Sequence, residues 1–234
     1  MGRGAVAGSK PSARPDIDVF LDAVAKRPAP VASTRGRLIF ALDATMSRQP
    51  TWDLAQSVQG KMFEAAAAHG GLEVQLVFYR GFGECKASRF MSGSEGLGGL
   101  MAKISVVAGE TQIAKVLRHV LDETRKSPVR AVVFIGDAME ERVDEIGKLA
   151  GEIGLLGAKA FVFQEGRDKV AEKAFRQIAL LTGGAYATFD ASAPQRLIAL
   201  LSAVAAYAAG GRPALESEAR ARGSAADLLL AQMR

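Results

Sequence analysis

Two short runs constrain this chain more than any other feature: LIFAL at 38–42 and AVVFI at 131–135. Neither alternates apolar with polar residues, so neither suits a strand with one wet face. Such runs fit strands covered by helices on both faces, the situation of a parallel sheet. Further candidate strands fall at 72–79 (LEVQLVFY), 84–90, 158–163 (AKAFVF) and 185–189. Helical periodicity is expected over 51–69, 94–103, 111–125, 140–154, 168–182 and 194–209. Strands alternating with helices in this way predict a doubly wound α/β fold, mainly parallel and Rossmann-like. One pair breaks the rule. Only Arg80 to Gly83 separate 72–79 from 84–90, too few residues for a parallel crossover, so 84–90 is expected as an antiparallel edge strand.

The ends of the chain read differently from its middle. Residues 1–15 and 26–37 are rich in Ala, Gly, Pro, Ser and basic residues, a composition that buries too little surface to order itself. Between them, Ile17, Phe20, Leu21 and Val24 recur at helical spacing, predicting a short helix over 16–26 capped by Asp16. The expected organisation is a mostly disordered basic segment at 1–36, an α/β domain at 37–211, and a partly helical tail at 212–234. In the tail, Ser224 and Asp227 have the spacing of a capping box.

The net charge of +5 belongs to these ends. Residues 1–37 contribute +4, residues 212–234 contribute +1, and the domain between them is neutral. A neutral middle with 6% aromatic residues lacks the basic face and stacking platform of a nucleic-acid binder. One cysteine, Cys85, cannot form an internal disulfide, which points to a reducing compartment, and no secretory leader is visible. The longest uncharged run, 197–211, falls short of the ~20 residues needed to span a bilayer. A cytoplasmic protein without a membrane segment is expected.

In a doubly wound sheet, ligands sit beyond the carboxyl ends of the strands. After LIFAL come Asp43, Thr45 and Ser47; after AVVFIG comes Asp137; Thr111 opens the helix expected at 111–125. Two carboxylates and three hydroxyls at one sheet edge form an all-oxygen set suited to a hard divalent cation: Mg²⁺, with Mn²⁺ or Ca²⁺ as alternatives. Alternate residues of D-x-T-x-S, just past a strand, can face a single ion.

FALDATMSR, then GETQI with Thr111, then VVFIGDAME with Asp137 resemble the von Willebrand factor A domain and its metal-ion-dependent adhesion site, in the form found in intracellular bacterial proteins. The resemblance covers about 38–209. It implies direct metal binding by Thr45, Ser47 and Thr111, with Asp43 and Asp137 acting mostly through water. It further implies a protein partner whose Asp or Glu carboxylate completes the metal shell. Three departures stand out: Thr45 for the more usual Ser, Ala138 after Asp137 where Gly is common, and Glu110 beside Thr111. Turned inward, Glu110 would occupy a metal position.

Other chemistries fit less well. A Mg²⁺-dependent phosphotransferase built on Asp43 needs a second carboxylate as proton donor where this chain has Thr45, leaving Glu140 or Glu141 as the available substitutes. No dinucleotide or phosphate-loop motif occurs. Cys85 lacks the Arg six residues on that a phosphatase loop requires, since that position is Met91. His69 and His119 lie in expected helices with no acidic or Ser partner at recognisable spacing and are assigned no role, and Trp52 reads as a packing residue. A nucleic-acid adaptor acting through the basic ends is the remaining alternative. No catalytic residue is assigned. The hairpin tip, with Arg80 and Phe82, and the neighbouring Glu110 are expected on the partner-facing rim of the metal site.

Overall fold

The computed structural model describes residues 35–190 and 192–233; the helix expected at 16–26 lies outside them. Its strands are β1 (Gly36–Asp43), β2 (Leu72–Arg80), β3 (Glu84–Ala87), β4 (Ala131–Gly136), β5 (Lys159–Glu165) and β6 (Ala185–Phe189). They form one six-stranded sheet in the order β3-β2-β1-β4-β5-β6. All neighbours are parallel except β2 and β3, where Arg80 pairs with Glu84 across the tight hairpin. The expected edge strand is shorter than 84–90: after Ala87 the regular ladder gives way to hydrogen bonds between Ser88 and Leu76 and a bridge between Val74 and Met91.

The helices are α1 (Gln49–Val58), α2 (Gly60–Ala67), α3 (Ser94–Met101), α4 (Ile113–Lys126), α5 (Val143–Leu155), α6 (Lys169–Thr182), α7 (Pro194–Arg222) and α8 (Ser224–Leu230). The single helix expected at 51–69 is two, divided at Gln59, whose carbonyl accepts from the Met62 amide in a tightened turn. Gly60 follows directly, a poor helix interior residue.

Alternation along β1 explains the layering. Leu38, Phe40 and Leu42 point to one face, where they pack with Trp52, Met62, Leu200 and Leu201 of α1, α2 and α7. Ile39 and Ala41 point to the other, against Val116 and Val120 of α4, Ile146 and Ile153 of α5, and Phe175 of α6. Fully burying each large side chain contributes roughly 1.5–3 kcal/mol, which is why strands of this kind cannot sit at a wet surface.

Helix α7 runs past the expected end at 209. Gly211 adopts φ 71°, a kink that L side chains resist, and Pro213 opens the second segment. The helix is long and apolar enough by composition to cross a membrane, yet most of its apolar stretch is buried within the domain. It is pinned to the sheet: Arg130 donates to the Ala208 and Ala209 carbonyls at 2.9 and 2.6 Å. At Gly36 a Cβ would lie 1.9 Å from the Ala208 carbonyl oxygen. The tail is helical at α8, but no side chain caps it; Gly223 occupies the N-cap in place of the expected Ser224. Leu229 and Met233 complete the α7 face of the core.

Candidate metal centre

Strand β1 is the switch point of the sheet, with β2 on one side and β4 on the other. The connection from β1 runs to β2 on one side and that from β4 to β5 on the other, opening a crevice between their carboxyl ends, at Asp43. There the chain turns sharply. The Ala44 amide donates to the Tyr79 carbonyl on β2, and the Thr45 amide donates to Asp43 Oδ1 at 2.7 Å. A short 3₁₀ turn, Met46–Arg48, then feeds α1, where Pro50 suits the first turn. This geometry brings the Thr45 and Ser47 hydroxyl oxygens to 3.4 Å of each other, as alternate residues of the turn allow.

Asp43 is 3% exposed. Burial pushes its carboxyl pKa up, the Thr45 hydrogen bonds pull against that shift, and the charge of Asp137 adds to it. Burial likewise raises Asp137, with the Arg48 guanidinium opposing. The two carboxylates therefore share one electrostatic environment at the adjoining ends of β1 and β4. Beneath them is Tyr79, fully buried and stacked on Phe134. Its hydroxyl lies beside Asp43 and feels the charges of Asp137 and Glu141. It nevertheless makes no hydrogen bond of good geometry. A buried phenol beside Asp43 without a well-formed hydrogen bond leaves its oxygen available to accept from a bound or metal-coordinated water.

Thr111 is held by the loop that follows β4. Its amide donates to Glu140 Oε2 at 3.1 Å, and its hydroxyl accepts from the Glu140 amide at 3.2 Å. Next to it, Glu141 accepts from the Ile113 and Ala114 amides, capping α4 from another element. The two glutamates available as proton donors are thus engaged by backbone amides.

Among the described residues, no three His, Cys, Asp or Glu side chains gather as a metal-binding group. The candidate set is of another kind, two carboxylates with hydroxyls, and its chemistry fits a hard cation.

The rim is built by loops tied to this turn. The Val107 amide donates to the Ala44 carbonyl, and the Glu110 amide donates to the Gly81 carbonyl at the hairpin tip. Phe82 at that tip is 84% exposed, and Met46 and Val107 are also open to solvent. Glu110 is exposed and does not turn inward. Arg80 is engaged by Glu84 at 2.9 Å and by the Ser105 carbonyl, so it braces the tip.

Sequence reasoning passed over Arg48, Glu165 and Tyr79. Arg48 reaches back across the turn: Nη2 is 3.2 Å from Asp137 Oδ2, and Nη1 pairs with Glu165 at the end of β5. Thr51 donates to the same Glu165 carboxylate. Arg48, Asp137 and Glu165 form one wall of a cleft of about 1000 Å³ that continues over the ends of β5 and β6 to Asp168, Asp190 and Arg196. The available signal was adjacency, a basic residue immediately after Ser47. Cys85 is half buried, with its thiol pKa raised by burial, the opposite of an activated nucleophile.

No protein-family model matches the chain, and no curated protein does. Solved structures do. One is a von Willebrand factor type A protein from Catenulispora acidiphila, at 13% identity and TM-score 0.61, covering 75% of this chain and 43% of that one. Another is the SpRpn10 VWA domain, at 9% identity and TM-score 0.55, covering 70% of this chain and 95% of that one. A third is proximal thread matrix protein 1 from the mussel byssus with a zinc-occupied MIDAS motif, at 16% identity and TM-score 0.55, covering 73% and 48%. The chain spans less than half the length of the first and third of these. Strand order, antiparallel edge and these likenesses agree: the fold is that of a von Willebrand factor A domain.

Proposed function

We propose that this chain is a divalent-cation-dependent protein-interaction module. Asp43, Thr45, Ser47, Thr111 and Asp137 hold the cation; their all-oxygen donor set suits Mg²⁺, with Mn²⁺ or Ca²⁺ as alternatives, in preference to softer ions. The ion supplies a positive centre short of ligands, and a partner protein's Asp or Glu completes its shell. The observation that carries this reading is the convergence of the Asp43–Ser47 turn with Asp137 at the switch point, above the open Tyr79 hydroxyl.

The rim indicates what flanks the partner's carboxylate. Met46, Phe82 and Val107 expose apolar surface on loops bonded to the same turn, so apolar side chains next to the acidic residue suit it. An enzymatic reading has less support, because Glu140 and Glu141 are taken up by amides and the Thr45 hydroxyl is too weak an acid to serve as proton donor. We place the protein in the cytoplasm, on its single cysteine. The test is affinity capture from native cell extract with Mg²⁺ or with EDTA. Partners retained with Mg²⁺, released by EDTA and lost on Asp43→Ala support the reading; capture indifferent to EDTA and to that substitution overturns it.

A further inference from the structure

Arg48 places a fixed positive charge inside the set proposed to hold the cation. Its guanidinium is mostly buried and spans three elements: Nε lies 3.4 Å from Ser47 Oγ, Nη2 is 3.2 Å from Asp137 Oδ2, and Nη1 pairs with Glu165. Two of these contacts, Ser47 and Asp137, are to groups of the candidate metal set. The third anchors the arginine to the neighbouring strand end, where Thr51 holds Glu165 in place.

We propose that Arg48 is a built-in competitor for the divalent cation and sets the affinity of the site. The inference rests on the metal reading above. Arg48 neutralises Asp137 and engages the Ser47 oxygen. An entering ion competes with the guanidinium for Asp137 and Ser47, and Arg48 then relies more on Glu165. The shared cleft offers it further acidic company in Asp168 and Asp190. Cation binding is therefore coupled to the arrangement of the wall between the metal site and the cleft, and the cleft's shape reports whether the ion is present.

The pair is charge-assisted and partly shielded from water, which makes the competition substantial. A unit positive charge a few ångströms from a divalent ion, at the dielectric of a half-buried site, lowers affinity by about tenfold or more.

The experiment is calorimetric titration of Mn²⁺ and Mg²⁺ into the EDTA-stripped full chain, as wild type, Arg48→Gln, Arg48→Lys and Asp43→Ala. Arg48→Gln is expected to bind Mn²⁺ at least tenfold more tightly than wild type, Arg48→Lys to stay within a few-fold of it, and Asp43→Ala to bind none. Measurable wild-type binding that Arg48→Gln leaves equal or weakens overturns the role of Arg48 while sparing the site. Absence of Mn²⁺ uptake by both wild type and Arg48→Gln at millimolar ion overturns the metal reading, and this inference with it. Should Arg48→Gln fail to fold, the wild-type Arg48 Nε–H resonance decides. Its displacement by Mg²⁺ supports competition; an unmoved resonance while the Thr45 amide shifts overturns it.

Discussion

Gly109 lies against Gly81 so closely that a Cβ on Gly109 would stand 2.2 Å from the Gly81 carbonyl oxygen. This contact, with the Glu110 amide bonded to the same carbonyl, joins the loop that leads to Thr111 to the tip of the β2–β3 hairpin. Thr111 is thus placed by the hairpin as well as by Glu140. Gly109→Ala is expected to force the two loops apart and cost about 1–3 kcal/mol by denaturant unfolding, the usual range for overpacking. Gly99, inside α3 with open space where its Cβ would stand, is the contrast. Gly99→Ala should stabilise by roughly 0.5–1 kcal/mol through helix propensity and a less flexible unfolded chain. Equal effects at the two positions would contradict the contact.

Phe82 and Phe175 separate surface from core. Phe82 is 84% exposed, so Phe82→Ala should leave stability within about 0.5 kcal/mol of wild type. If the rim receives the partner, the same substitution should reduce Mg²⁺-dependent capture. Phe175 is fully buried, with its ring 5.4 Å from that of Phe134 edge-to-face. Its replacement by Ala should cost ~3–5 kcal/mol. Denaturant midpoints for the two variants check both statements, and a destabilised Phe82→Ala would mean that the tip packs in solution.

Added Mg²⁺ or Mn²⁺ should raise the melting temperature of the wild type relative to EDTA. An ion that binds only the folded state, at a hundred times its dissociation constant, adds about 2.7 kcal/mol. For a domain of this size that is a rise of several degrees. Asp43→Ala should abolish the increment; an equal increment in variant and wild type would place the ion elsewhere.

His119 gives a pH dependence independent of the metal centre. It sits on α4 with Nε2 2.9 Å from Gln75 Oε1. Burial lowers its pKa; Glu123 and Asp122 oppose the shift, and Lys126 adds to it. As pH falls, the unfolded chain takes up this proton first, near pH 6.5, so it binds more protons than the native state and stability falls. The loss continues until the lowered native pKa is reached. His119→Gln removes the effect. The stability of wild type minus variant should be constant from pH 8 to 7 and decline below about 6.5. A difference that stays flat to pH 5 would show that the imidazole titrates normally in the fold.

How much of this was legible in the sequence depended on whether the cause was local. Continuous apolar character at 38–42 and 131–135 reported strands covered on both faces, and the four residues between 72–79 and 84–90 allowed only a hairpin, so fold class and antiparallel edge followed from the sequence. Asp43, Thr45 and Ser47 share one turn whose spacing is a property of the chain itself, which made their grouping readable. Arg48, Glu165 and Tyr79 were not readable, because what each does depends on a residue far away in sequence. Arg48 meets Glu165 across two strands, and Tyr79 reaches Asp43 only because β2 pairs with β1 in that register. The same holds for Glu141, which caps a helix begun 28 residues earlier. The extension of α7 through Gly211 had likewise no local signal, whereas Leu229 and Met233, one helical turn apart in the tail, carried one and are core residues. Hydrophobic period and turn length are written in neighbouring residues. Which charges face one another, and which hydroxyl is left open beneath them, is decided only when the strands align.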